Sequence, residues 1–182
     1  MEFPLTDVQH TYCVGRNTDQ VMGGVSCYLY FEFECGEIDR QRLSKAWENV
    51  QYLHSSLRTK FLESGTQVIQ DKPYNSSIII YDLQQLDETE KKEKMEAVRN
   101  EYSHKVLAVE RGEVAVPMLS VIGKNKTILH FGIDLLVADL KSIKIIFSEL
   151  EKIYTDCSFE KTQSTLSIEE HLKHQEKADD YR

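Results

Sequence analysis

Hydrophobic and polar positions alternate most regularly between residues 27 and 35. One set of alternating positions holds Cys27, Leu29, Phe31, Phe33 and Cys35, and the other holds Tyr28, Tyr30, Glu32 and Glu34. Because successive side chains of a strand point to opposite faces, this period of two predicts a β-strand with one apolar face. The pair Gly23-Gly24 precedes it and marks the turn from which the strand begins.

Apolar residues elsewhere recur every three to four positions, which is the spacing of helices. The predicted helices cover residues 6–14 with Thr6 as the cap, a segment after Asp39, residues 88–106, residues 139–154, and a charged tail from Ser167. The chain ends inside that tail, so we expect it to be truncated within an element. Shorter strands are predicted at 57–62 and 67–70 as a hairpin, at 78–81, at 114–122 and at 127–133. Strands that alternate with helices in one chain without linkers predict a single α+β lobe.

Composition excludes several classes of protein. The chain has 182 residues and a formal net charge of −8, so it has no excess of cations with which to neutralise nucleic-acid phosphates. It has no apolar run long enough for a transmembrane helix, and its first residues lack the layout of a signal peptide. We therefore expect a cytoplasmic protein that binds neither nucleic acid nor membrane. The four cysteines form no CxxC pair and predict neither a metal site nor a disulfide framework.

The most suggestive chemistry lies where the strand at 127–133 gives way to the last long helix. Asp134, Asp139 and Ser142 are the candidate functional residues of this segment. Asp139 is well placed to cap the helix, and a second role for it is not excluded. Asp134 sits at a strand end, where a carboxylate needs a cation, an amide or water. His130 shares its face of the strand, so a His/Asp acid–base pair is conceivable, but a lone strand histidine is more often a packing residue.

Three ordered motifs give the chain a specific resemblance. Residues 3–16, FPLTDVQHTYCVGR, are similar to the opening motif FPLTxxQxAYxxGR of heterocyclization domains of nonribosomal peptide synthetases, with Thr11 in place of alanine. His54, Leu57 and Arg58 resemble the HxxLR region of that family. Asp134, Asp139 and Ser142 match DxxxxDxxS, which replaces the HHxxxDG motif of ordinary condensation domains.

The resemblance implies a chloramphenicol-acetyltransferase-like fold, in which two similar lobes enclose a V-shaped tunnel. Residues 1–182 would form the N-terminal lobe, and the C-terminal lobe would be missing. Upstream and downstream peptidyl carrier proteins would bring substrates on phosphopantetheine arms, and no cofactor or metal would bind directly. A tethered Cys, Ser or Thr would be joined to an acyl thioester and cyclised, with loss of water, to a thiazoline or oxazoline.

The resemblance also implies roles for single residues. Leu135 occupies the position of the second histidine of HHxxxDG and cannot move a proton. Asp139 is expected to pair with Arg58 and to fix the loop, and Asp134 is expected to shape the tunnel floor. The isolated lobe is expected to be inactive and to self-associate through its open face. A half-domain that only docks carrier proteins, and a degenerate lobe with a structural duty, are the alternatives.

Overall fold

The structure, a computed structural model, describes residues 2–16 and 23–156. Its elements are β1 (Glu2–Pro4), α1 (Asp7–Arg16), β2 (Tyr28–Cys35), α2 (Arg40–Leu53), β3 (Thr59–Phe61), β4 (Thr66–Ile69), β5 (Ile79–Asp82), α3 (Glu88–Tyr102), β6 (Ala115–Gly123), β7 (Lys126–Asp134) and α4 (Leu140–Thr155). Short 3₁₀ turns cover Ser55–Arg58 and Val109–Arg111. The helix predicted from Ser167 lies outside the described residues.

The strands form two sheets. The larger has the order β2-β7-β6-β5, in which only the β5–β6 pair is parallel. The smaller has the order β1-β4-β3 and is antiparallel throughout. Gly65, with φ of +78°, supplies the left-handed residue of the turn between β3 and β4. Strands and helices thus mix in one lobe, as predicted.

The two faces of the larger sheet differ in chemistry. Helices α2 and α4 cover one face, where Trp47 packs edge-on against Phe131 with 5.3 Å between ring centroids, and Phe131 meets Phe147 at 5.0 Å. Aromatic side chains of this kind bury large areas and dominate core stability. Helix α3 covers the other face, where Arg99 donates two hydrogen bonds to Glu32 of β2. The period-two pattern of residues 27–35 therefore separates an apolar layer from a polar one.

Element boundaries agree with the predictions to within one or two residues, apart from three larger differences. Residues 57 and 58 belong to a 3₁₀ turn rather than to the predicted strand, since β3 begins at Thr59. Helix α3 ends at Tyr102, four residues before the predicted end. Strand β1 was not predicted; it pairs with β4 through the register Phe3 to Gln67. In the described part of the chain, no helix is long and apolar enough to span a membrane.

Candidate active site

Asp134 is the centre of the candidate site. It is the last residue of β7, its side chain is 0% exposed, and both carboxylate oxygens have partners. Oδ1 accepts a hydrogen bond of 3.0 Å from the Leu136 N–H, and Oδ2 forms an ion pair with Nη1 of Arg16. The predicted need of this carboxylate for a cation or an amide is met by one of each.

Arg16 brings the opening motif to the loop. It is the last residue of α1, and its Nη2 also donates to the carbonyl oxygen of Leu107. Burial raises the pKa of Asp134, whereas attraction to Arg16 and the Leu136 N–H act in the opposite direction. A carboxylate held from both sides in this way is poorly suited to act as a mobile general base, and it fixes the end of β7 instead.

Gln9 provides a second link between the opening motif and the loop. Its Nε2 donates to the carbonyl oxygen of Leu136 at 2.9 Å, and its side chain is also hydrogen-bonded to Gln67. Thr6 caps α1 by accepting from the Gln9 N–H at 3.2 Å, while Gln9 Oε1 accepts from the Thr6 N–H at 3.0 Å. This reciprocal pair is a capping box and sets the direction in which the Gln9 side chain points. The motif thus fixes the loop by hydrogen bonds that do not involve titratable groups.

Asp139 is the N-cap of α4, as the sequence predicts. Its Oδ1 accepts from the Ser142 N–H at 2.7 Å, and this hydrogen bond lowers the pKa of Asp139. The side chain is exposed, whereas that of Asp134 is buried. The structure therefore brings Asp139 and Ser142 together at the start of α4 and leaves Asp134 in a buried environment of its own.

The expected pair between Asp139 and Arg58 is wrong. Arg58 Nε donates to the carbonyl oxygen of Gln51 at 3.0 Å, and Nη1 donates to that of Gln70. Among the ion pairs of the described residues, none joins Arg58 to Asp139. The reason is local: the first turn of α4 already supplies N–H donors to Asp139, and Arg58 instead ties the end of α2 to the end of β4. Arg58 supports the fold and not the loop.

His130 shares the sheet face of Asp134 but belongs to another hydrogen-bonded group. Its Nε2 lies 2.8 Å from Ser120 Oγ, and its Nδ1 lies 2.6 Å from the hydroxyl of Tyr30. The Tyr30 hydroxyl donates to Glu32 Oε1 at 2.9 Å. Burial lowers the pKa of His130, which is 0% exposed. A histidine enclosed in this way is a packing residue, and the conceivable His/Asp pair is not formed.

Sequence reasoning missed Arg16 and Gln9 as site residues. Both lie in the recognisable opening motif, so the motif itself was the available signal. The structure shows the reason for their presence there: one neutralises Asp134 and the other holds Leu136.

A family match covers the full chain. Residues 1–182 match the family model described as Condensation domain. This chain belongs to the condensation-domain family. The inference from the three motifs, a heterocyclization or condensation-type domain of nonribosomal peptide synthetases, is thereby confirmed at the level of the family.

Two proteins with similar sequences are a synthetase and a synthase, which is consistent with this family. The condensation-type chain is 36% identical over 157 residues to pyochelin synthetase PchE of Pseudomonas aeruginosa, which is 84% of this chain and 10% of that protein. It is 32% identical over 163 residues to phenyloxazoline synthase MbtB of Mycobacterium sp. (strain MCS), which is 90% of this chain and 14% of that protein. The chain therefore spans only a small part of the length of these relatives.

Solved structures confirm the predicted α+β fold. The cyclization-docking bidomain of EpoB, a nonribosomal peptide synthetase from Sorangium cellulosum, superposes with a TM-score of 0.91 at 30% identity. The match covers 97% of this chain and 35% of that one. The condensation domain of the monacolin K polyketide synthase MokA, at 16% identity and a TM-score of 0.78, shares the fold.

Proposed function

We propose that this chain is the N-terminal lobe of a heterocyclization domain of a nonribosomal peptide synthetase. The observation that carries the proposal is the set of side chains in the loop after β7 and the way in which they are paired. Its first carboxylate is buried against Arg16, and Leu135 follows it. Neither group is a mobile base, so the loop shapes a site and leaves proton transfer to other groups. The similarity to the EpoB cyclization bidomain supports the same assignment.

The proposed reaction has two steps. First, the amine of a carrier-tethered Cys, Ser or Thr attacks the carbonyl carbon of an upstream acyl thioester; the C–S bond breaks, the amine loses a proton, and the upstream arm leaves as a thiol. Second, the side-chain thiol or hydroxyl attacks the carbonyl carbon of the new amide, and water leaves to give a thiazoline or oxazoline. Holding the two tethered groups in line supplies much of the rate enhancement of the first step, because positioning alone lowers the activation free energy by several kcal/mol.

The proposed partners are upstream and downstream peptidyl carrier proteins with phosphopantetheine arms, together with a C-terminal lobe. The net charge of this chain is −8. The family resemblance implies that the carrier proteins are acidic as well. General electrostatic attraction between them and this chain is therefore unfavourable, and docking depends on a local basic or apolar patch. The groups for cyclodehydration are assigned to the second lobe, so the isolated chain is expected to be inactive.

The test compares the complete domain with this chain alone, each supplied with both loaded carrier proteins. Mass spectrometry of the downstream arm measures the tethered product. The proposal predicts a product one water lighter than the linear amide for the complete domain, and no product for the isolated chain. A complete domain that stops at the linear amide is a condensation enzyme, and that result contradicts heterocyclization.

Self-association of the isolated chain is part of the same proposal. Several large apolar side chains are exposed in the described residues, among them Leu140 at 63% and Val25 at 67%. Exposed apolar side chains of this size favour association with a second copy. Sedimentation velocity over a range of concentrations is expected to show a rising mean mass, and a monomer at every concentration refutes the expectation.

A further inference from the structure

The hydroxyl of Tyr28 is buried and has no hydrogen-bond partner. Its oxygen is one of two such side-chain atoms in the described residues. Tyr30, two positions further along the same face of β2, is different: its hydroxyl contacts both Glu32 and His130. Since buried polar groups are almost always satisfied, an unpartnered hydroxyl calls for a physical reason.

The neighbouring strand leaves room for this hydroxyl. A Cβ on Gly132 of β7 would lie 1.6 Å from the Tyr28 oxygen and 2.5 Å from Cζ of its ring. Glycine inside a strand weakens the strand and commonly marks a place where another group approaches closely. The close approach of the Tyr28 side chain accounts for the glycine, but it leaves the hydroxyl without a hydrogen-bond partner.

Tyr28 lies beside the candidate site. Its Cα is the cross-strand partner of the Asp134 Cα, and its side chain helps to line a cavity of about 300 Å³ between residues 24–26 and 103–106. Val25 and Val106, which are exposed, also line this cavity. Ser26, Ser103, His104 and Lys105 complete the lining, so the cavity has polar as well as apolar walls. A molecule bound there would lie against the Tyr28 side chain, next to the Asp134 loop.

The surroundings define the hydrogen-bonding role of Tyr28. Burial, then the carboxylates of Glu113 and Asp134, raise the pKa of its hydroxyl, so the group stays protonated and can donate. Both carboxylates have their own cations: Lys105 lies 3.1 Å from Glu113, and Arg16 pairs with Asp134. Because these carboxylates are already paired and the charged groups that act on the hydroxyl are anionic, a neutral acceptor is favoured over an anion.

We propose that the Tyr28 hydroxyl donates a hydrogen bond to a carbonyl oxygen of the carrier-tethered substrate beside the Asp134 loop. The inference rests on the proposed function, because that reaction supplies the thioester and amide carbonyls. Tyr28 is a substrate-binding residue in this account: it orients the carbonyl that is attacked, and the substrate supplies the partner that the hydroxyl otherwise lacks.

The test uses the complete domain and two probes loaded on the downstream carrier protein. The first is an aminopantetheine arm acylated with N-acetyl-2-aminobutyric acid, which has a methyl group in place of the cysteine thiol and therefore cannot cyclise. The second is the same arm with each of the two amides of the aminobutyric acid unit replaced by a trans-alkene, which removes both carbonyl oxygens without adding a charge. Titration of wild type, Tyr28→Phe and Tyr30→Phe with each probe gives dissociation constants, and thermal unfolding gives the stability of each variant.

The expected pattern separates binding from structure. Tyr28→Phe should weaken binding of the carbonyl probe by roughly 3- to 10-fold, the effect of one neutral hydrogen bond. It should leave the dissociation constant of the alkene probe unchanged. Its melting temperature should stay equal to that of wild type or rise, because no protein partner is lost. The matched control, Tyr30→Phe, should melt at a lower temperature and bind both probes as wild type does.

Two results would overturn the inference. One is a Tyr28→Phe domain that binds the carbonyl probe as tightly as wild type, or wild type that does not bind it at all. The other is a drop in melting temperature like that of Tyr30→Phe, which would reveal a structural partner. Failure of the proposed function is recognised separately, by a wild-type domain that makes no cyclised product.

Discussion

Removal of the cation that pairs with Asp134 is expected to cause a large loss of stability. In an Arg16→Met variant the carboxylate keeps its hydrogen bond from the Leu136 N–H but loses the guanidinium, and it stays in a place with 0% exposure. Methionine retains an unbranched apolar stem, so the packing of that stem is largely preserved. Breaking a buried ion pair by removing one partner costs about 3–5 kcal/mol.

The assay is chemical and thermal unfolding of the 182-residue chain. A loss of about 3–5 kcal/mol corresponds to a fall of roughly 6–20 °C in melting temperature, at about 2–4 °C per kcal/mol for a chain of this size. The matched control is Arg40→Met, which breaks an ion pair of 2.8 Å with Asp82. Both partners of that pair are exposed by more than 40%, so the control is expected to unfold as wild type does.

The pH dependence of the stability difference between wild type and Arg16→Met provides a second test. Without Arg16, burial holds the pKa of Asp134 above its value in the unfolded chain. The penalty is therefore present above that folded-state pKa and disappears as the pH falls through it. The gap in unfolding free energy between wild type and Arg16→Met should narrow as the pH falls from neutral towards the unfolded pKa of aspartate, about 3.9. A variant as stable as Arg40→Met, or a gap that does not change with pH, would show that Asp134 is not a buried charge held by Arg16.

Three further substitutions test the surroundings of the loop. Gly132→Ala places a Cβ against the hydroxyl of Tyr28 and should destabilise the chain by about 1–3 kcal/mol in urea unfolding; a loss no larger than that of a surface change would contradict the close approach. Asp139→Ala removes the N-cap of α4 and should cost about 0.5–2 kcal/mol; unchanged stability would dispute the cap. Burial lowers the pKa of His130, so the free energy of unfolding is highest above the unfolded pKa of about 6.5 and falls as the pH drops below it, by at most about 1.4 kcal/mol per pH unit. His130→Asn should reduce this pH dependence. Parallel plots of unfolding free energy against pH for wild type and variant would refute the assignment.

Local sequence patterns predicted most of the helices and strands. Features that depend on contacts between distant parts of the chain were not predicted. The cap at Asp139 and the alternation in β2 follow from neighbours in sequence, and both are confirmed. Strand β1 has only three residues, which is too few to show a period, and it exists because β4 pairs with it. Helix α3 was predicted to reach Val106, whose spacing continues the apolar series, but Val106 is 53% exposed and the helix has already ended.

The candidate site shows the same limit more clearly. The sequence indicates that the carboxylate of Asp134 needs a cation, but the cation lies 118 residues away, at the end of α1. A resemblance suggested Arg58 for a partner role to Asp139, and the carbonyl oxygens of Gln51 and Gln70 occupy its guanidinium instead. The choice between two arginines depends on the three-dimensional path of the chain, which local spacing does not contain.

We infer that the Asp134 loop holds the site in shape and does not itself drive cyclisation. The most direct measurement is the ratio of uncyclised amide to heterocycle on the downstream carrier protein, for complete domains of wild type, Asp134→Ala and Asp139→Ala. The account predicts that both products fall together, with an unchanged ratio, in proportion to the loss of folded protein. A well-folded variant that accumulates the uncyclised amide would contradict it and would place this loop in the cyclodehydration step.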